Sequence, residues 1–318
     1  MQVGNAVSAD AIAVLCTHPR FPEAMRAVMD GNVRLYRGNR VLNYLVSDRG
    51  RLIVGMLAFY LHVSRKAADP NSGLTAHRLK ALCTEQDICS AGRAGALLSL
   101  MRLFGYVAPA ADPADRRLKR LVPTDLLTAS LRERWRLMFG AMVPLVPEGA
   151  VALAALDRDD FLSALVRNMT GHFRAGVRLL DVAPQLGPFT DRNAGLIILF
   201  SLIVAGEPDD SIPPTRPVQM PVSELARRFS VSRAQVLRLL RDAAAEGFIE
   251  RTEAAREAGI TLLPPLSVAV KHLFATVFLF FARCAAAALQ EVGADGPRRL
   301  SDDHPDGSKL IEPHPRNG

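Results

Sequence analysis

The sequence predicts a mainly α-helical chain with small β-hairpin wings: two tandem winged helix-turn-helix units joined by a helical, pseudo-dimerisation core. Three observations predict it. Between Gly73 and Asp125, Thr75 and Ser90 are placed to cap two successive helices and Gly105 to stop the second. Two short strands, Tyr106-Val107 and Leu118 to Val122, then flank a polar tip from Asp112 to Arg117. The same succession returns about 142 residues later, with Ser232 against Ser90 and Gly247 against Gly105. Finally, the composition is 49% hydrophobic but only 6% aromatic, with one Trp. That mixture calls for a core of Leu, Ala and Val, carried on helices because long alternating segments are few.

In chain order, residues 1–18 carry little pattern. Pro19 and Pro22 introduce a helix with Met25, Val28 and Met29, expected to end near Gly31, with another from Val33 to Leu45. An apolar helix follows over Leu52 to Val63, then a loop at Asp69 to Gly73. After the first helix-turn-helix and hairpin, Thr124 is placed to cap a helix over Asp125 to Met142, with Leu127, Leu131, Trp135, Met138 and Met142 on one face. The pattern then restarts. Phe161 to Leu180 parallels Phe21 to Tyr44, and Leu196 to Val204 parallels Leu52 to Val63. Val222 to Phe229, a turn at Ser230-Val231 and a helix from Ser232 form the second helix-turn-helix, with a turn about four residues shorter than in the first. Ile260 to Leu263 closes its hairpin, and a long helix runs from about Leu266 to Leu289. The expected divisions are an N-terminal segment (1–18), a first unit with its flanking helices (19–146), a second (147–292) and a polar, disordered tail (293–318).

A helix-turn-helix exists to place one helix in a groove of DNA, so the candidate site residues lie on the second helix of each unit and on the wings. In the second unit, Ser232 caps the helix and Arg233, Gln235 and Arg238 project from it. Arg grips guanine and Gln grips adenine through paired hydrogen bonds, each worth roughly 1–3 kcal/mol of discrimination. Arg256 is the candidate on the second wing. In the first unit the reading helix is bland. Ser90, Arg93 and Ser99 are its best candidates, and the wing supplies Arg116, Arg117, Lys119 and Arg120 for phosphate or minor-groove contact. Residues 74–122 carry a net charge of +4 and residues 220–262 a net of +1, so the first unit is the more strongly basic.

The segment from Asp115 to Asp125 (DRRLKRLVPTD) resembles the wing and exit helix of MarR-type transcriptional regulators, in which an Asp-Arg-Arg tip leads through a strand into the next helix. The resemblance covers about Asp48 to Met142 and, more weakly, Asp191 to Leu289. It implies a winged helix-turn-helix held by flanking helices that pair about a two-fold axis, with a cleft able to take a small molecule. Two features depart from the pattern. One chain carries two units, and the second wing (TEAAREAG, Thr252 to Gly259) lacks Asp-Arg-Arg.

The net charge of +7 and a pI of about 9.6 suit a polyanionic partner. Cys16, Cys83, Cys89 and Cys284 form no CxxC pair, and the N-terminus carries no signal-peptide pattern, so a reducing cytoplasm is expected. The apolar runs Gly195 to Ala205 and Leu273 to Ala282 are shorter than the roughly 18 residues a membrane span needs and read as buried helices. The seven histidines show no metal-binding spacing, and no nucleophile has a visible base, so no enzyme, metal or cofactor is expected. The expectation is a cytoplasmic, sequence-specific regulator of transcription. It would bind double-stranded DNA at an asymmetric or pseudo-palindromic site, its reading helices roughly 34 Å apart, one turn of DNA. Two alternatives stand beside it: a regulator that answers a small-molecule effector bound in the helical core, and a winged-helix module for protein interaction without DNA.

Overall fold

The computed structural model describes residues 7–38, 49–66, 68–69, 72–110, 120–252 and 259–295. These residues are mainly helical, with two small antiparallel sheets. Helices α1 (Ala9–Cys16), α2 (Phe21–Gly38) and α3 (Arg49–Val63) come first. Strand β1 (Leu74–Thr75) leads into α4 (Ala76–Glu85) and α5 (Ala91–Leu103), then β2 (Val107–Pro109), β3 (Arg120–Pro123) and α6 (Asp125–Met142). The chain continues through α7 (Pro147–Ala155), α8 (Asp159–Arg174), two short 3-10 turns, α9 (Gly187–Thr190) and α10 (Gly195–Val204). It ends in α11 (Val222–Phe229), α12 (Arg233–Ala245), β4 (Ile249–Thr252), β5 (Gly259–Leu262) and the 32-residue α13 (Pro264–Asp295).

Two stretches, β1 to α6 and Val218 to α13, close with the same backbone hydrogen bonds. In the turn after α4, Asp87 adopts φ 51° and the Ile88 N–H donates to the Cys83 carbonyl at 2.9 Å. After α11, Ser230 adopts φ 55° and the Val231 N–H donates to Ala226 at 3.1 Å. The hydroxyls of Ser90 and Ser232 accept from the N–H groups of Arg93 (3.3 Å) and Gln235 (3.1 Å), capping α5 and α12. Gly105 (φ 74°) and Gly247 (φ 69°) then turn the chain out of each helix, in a conformation that strains any residue with a Cβ. Behind them, the N–H of Tyr106 reaches Met101 at 2.8 Å and that of Phe248 reaches Ala243 at 2.9 Å. Each hairpin is tied back in the same way, Thr124 N–H to Tyr106 (3.0 Å) and Leu263 N–H to Phe248 (2.9 Å).

The first sheet has the order β1-β3-β2, with Leu74 opposite Leu121 and Val107 opposite Pro123. The second is β4-β5, with Ile249 opposite Leu262. The counterpart of β1 is a single bridge, in which Val218 and Ile260 exchange hydrogen bonds of 2.8 and 3.0 Å.

The helices form one continuous apolar core. Its plan is crossed: α2 packs on α6 and on α10, while α8 packs on α13 and on α3. The small helices follow the same rule, α1 lying on α13 and α7 on α6. The packing of α2 and α8 therefore links the helices of the first stretch to those of the second. Edge-to-face rings mark the seams: Phe21 with Phe278 (6.0 Å), Phe139 with Phe281 (6.0 Å) and Phe200 with Phe274 (5.6 Å). Although aromatics are few, six of the largest fully buried side chains are phenylalanines.

Several sequence expectations need correction. Gly31 does not end α2, which runs to Gly38. A Cβ at Gly31 would stand 2.8 Å from Leu137 Cδ2 on α6, so the glycine lies inside the α2–α6 contact and not at a helix end. The segment 1–18 holds a capped helix, α1, whose Ile12 and Leu15 are buried. The Thr124 hydroxyl does not cap α6, because it donates to the Gly105 carbonyl at 2.6 Å. The turn between α4 and α5 spans Gln86 to Ser90, against Ser230 to Ser232 in the second stretch, two residues longer rather than four. The Val33 to Leu45 helix and the tail lie partly outside the described residues, and Gly293 to Asp295 belong to α13. Among the described residues, α13 is long and apolar enough by length and composition to cross a membrane, and most of its apolar stretch is buried inside the molecule.

Candidate nucleic-acid interface

Helix α12 presents the more developed surface. Val236, Leu239, Leu240 and Ala243 are buried and hold it against α11 and the sheet, with Phe248 beneath. At about 100° per residue, the opposite face is then Ala234, Leu237, Arg238 and Arg241, with Arg233 in the first turn on its flank, toward Leu240. All five are exposed. Among the described residues, no carboxylate pairs with Arg233 or Arg238, and Arg241 lies 3.6 Å from Asp242. Several arginines elsewhere are paired, Arg158 with Asp160, Arg136 with Asp157, Arg167 with Glu291 and Arg228 with Glu224, while Arg65, Arg102 and Arg227 also have no carboxylate partner among the described residues. Arg233 and Arg238, five positions and about 140° apart around the helix, are two exposed guanidinium groups with no acid among the described residues, available to an external anion.

Gln235 is placed differently. Its side-chain amide donates to the Asn193 carbonyl at 2.9 Å. Paired recognition of adenine needs both the amide N–H and the carbonyl oxygen of a Gln, so in this arrangement Gln235 is committed to the fold. The segment before α10 runs along that flank of α12, held there also by the Arg192–Asp242 ion pair. Ser232 is exposed and occupied as the cap.

Helix α5 buries Ala94, Leu97, Leu98 and Met101. Position for position, Ala91, Gly92, Gly95, Ala96 and Ser99 stand where α12 has Arg233, Ala234, Leu237, Arg238 and Arg241. The face is therefore nearly without side chains. A Cβ on Gly95 would fall 2.6 Å from Lys80 Cε, so the Lys80 stem lies across this helix. Arg93 is exposed beside it, and the Ser99 hydroxyl turns back to donate to the Gly95 carbonyl at 3.0 Å. Arg120 is half-buried on β3 next to Gly73, at the root of the wing rather than its tip. Arg116, Arg117, Lys119 and Arg256 lie outside the described residues.

Sequence reasoning missed Arg241, which continues the Arg233–Leu237 ridge by one more helical turn. The i, i+4, i+8 spacing was the available signal. It also missed Arg227, exposed on α11. The thiols of Cys83 and Cys89 meet across the first turn; burial pushes Cys83 up to about 12 and also raises Cys89, so both are protonated, packed groups. Two open depressions of about 520 and 540 Å³ lie by the ends of α5 and α12: one lined by Ser99, Arg102 and Thr124, the other by Asp191, Arg192 and Glu246. Comparison with known proteins finds no matching family, no similar characterised protein and no similar solved structure.

Proposed function

We propose that this chain is a sequence-specific regulator of transcription that binds double-stranded DNA. In this reading each helix, turn, capped helix and hairpin is a winged helix-turn-helix unit, and the two arose by duplication within one chain. The crossed core then acts as an internal pseudo-dimer interface, like the paired flanking helices of the MarR-type regulators that the first wing resembles. The observation that carries the functional reading is the outward face of α12, where Arg233 and Arg238 stand exposed with no carboxylate partner among the described residues. A reader of this kind works in the cytoplasm with its thiols reduced. The first unit, with its bare helix face, anchors through backbone contact and its basic wing sequence, while the second discriminates bases.

The test is selection of bound sequences from a random duplex pool at a stated salt concentration, since affinity without salt means little. An asymmetric site, better defined in one half, is expected. Two identical half-sites would contradict the division of labour, and failure to retain any duplex even at low salt would leave a protein-interaction module as the better reading.

A further inference from the structure

The ridge Arg233–Leu237–Arg241 places one large apolar side chain between two arginines, with about 6 Å of helix rise on either side of it. Leu237 is 43% exposed, although its neighbours Val236, Leu239 and Leu240 are all but fully buried. It therefore does not belong to the core of its own unit. On the proposed DNA-facing surface, the major groove offers an apolar side chain one specific partner, the C5 methyl group of thymine, whereas guanine offers O6 and N7 to arginine.

Resting on the reading above, we propose that α12 recognises a half-site containing a thymine flanked by guanine. Leu237 contacts the thymine methyl, and Arg233 and Arg238 take guanine edges. Gln235 takes no base. It is a positioning residue, holding the helix to the segment at Asn193. The occupant of this face is duplex DNA because Leu237 stands among Arg233, Arg238 and Arg241, of which Arg233 and Arg238 have no acid among the described residues. An apolar protein partner would have to bury those charges.

The test uses the full-length protein and the best site from the selection, synthesised with deoxyuridine in place of each thymine in turn. Removing the methyl at one position in the α12 half-site is expected to weaken binding about fourfold, the equivalent of one buried methyl group. Leu237→Ala should bind the thymine and deoxyuridine duplexes equally and, because residue 237 is exposed, should melt at the wild-type temperature. Replacing the flanking guanine with 7-deazaguanine should cost affinity in the wild type and have no effect in the matching arginine variant. Binding that ignores the thymine methyl, or a methyl effect that survives in Leu237→Ala, overturns the proposal while leaving the DNA-binding reading intact. Absence of any duplex binding removes that reading as well.

Discussion

The exposure of Arg233 and Arg238 on α12 was legible in the sequence because a capped helix with regular burial fixes which positions face outward. Gln235 was not, because its partner, Asn193, lies 42 residues away and no local pattern announces it. Gln235→Ala is therefore expected to leave the preferred DNA sequence unchanged and to lower stability by at most about 1 kcal/mol, as one exposed hydrogen bond is lost. Selection and a thermal melt on the same variant check both halves; a relaxed preference for adenine would show that the side chain leaves Asn193 to read DNA. A second residue-scale prediction concerns pH. Burial, and secondarily Arg65 and Arg283, lower the pKa values of His62 and His172 below the usual 6.5. Unfolding restores the ordinary value, so the unfolded chain takes up protons that the folded chain refuses. Stability is then lost as the pH falls through 6.5 toward the folded values. Melts between pH 7.5 and 5.5 should show this fall, and the double variant His62→Gln/His172→Gln should flatten it, even though it loses the His172–Phe280 ring contact.

At the scale of elements, caps and turns carried most of the legible signal. Ser90, Ser232, Gly105 and Gly247 each sit at a backbone position that requires their chemistry, and each was placed correctly. Glycines inside helices misled, because a glycine that stops a helix and one that admits a neighbouring helix look alike in sequence. Gly149, in the first turn of α7, is of the second kind: a Cβ there would meet the Met142 carbonyl carbon at 2.6 Å and the Val143 nitrogen at 2.7 Å. Backbone cannot move aside as a side chain can, so Gly149→Ala should destabilise by about 1–3 kcal/mol through forced separation of α6 and α7. Gly140, within α6, meets nothing within 4 Å. There the same substitution should stabilise by about 0.5–1 kcal/mol, because the unfolded chain loses freedom and the helix loses nothing. Denaturant melts of the two variants should move in opposite directions, and a shared direction would refute the packing argument.

At the scale of the molecule, the sequence suggested two units, divided between residues 146 and 147 and joined by a helical core, but which helices meet in that core was not legible. Helical periodicity says which face of α2 or α8 is buried but not against which helix. The structure crosses them. Tyr36 at the end of α2 stacks edge-on with Phe229 at the end of α11 (5.5 Å). Reciprocally, Arg178, stacked 3.7 Å over Phe173 beyond α8, donates to the Gln86 carbonyl in the first turn at 3.1 Å. Each half thus braces the helix-turn of the other, α1 packs on α13, and α7 lies on both α6 and α13. Cutting the chain at 146 would expose the faces of α2 and α3 that α10 and α8 cover, so residues 1–146 alone should not fold as a stable monomer. Expressed separately, each half is expected to be unfolded, aggregated or paired with itself, and mixing the two should restore a one-to-one complex with the melting temperature of a cooperative unit. A monomeric, cooperatively melting 1–146 would refute the crossed core. If the halves do reassociate, a nicked chain that keeps its crossed contacts should retain the proposed DNA binding to the same degree as the intact chain, because the spacing of α5 and α12 is set by packing across the core and not by the link at residue 146.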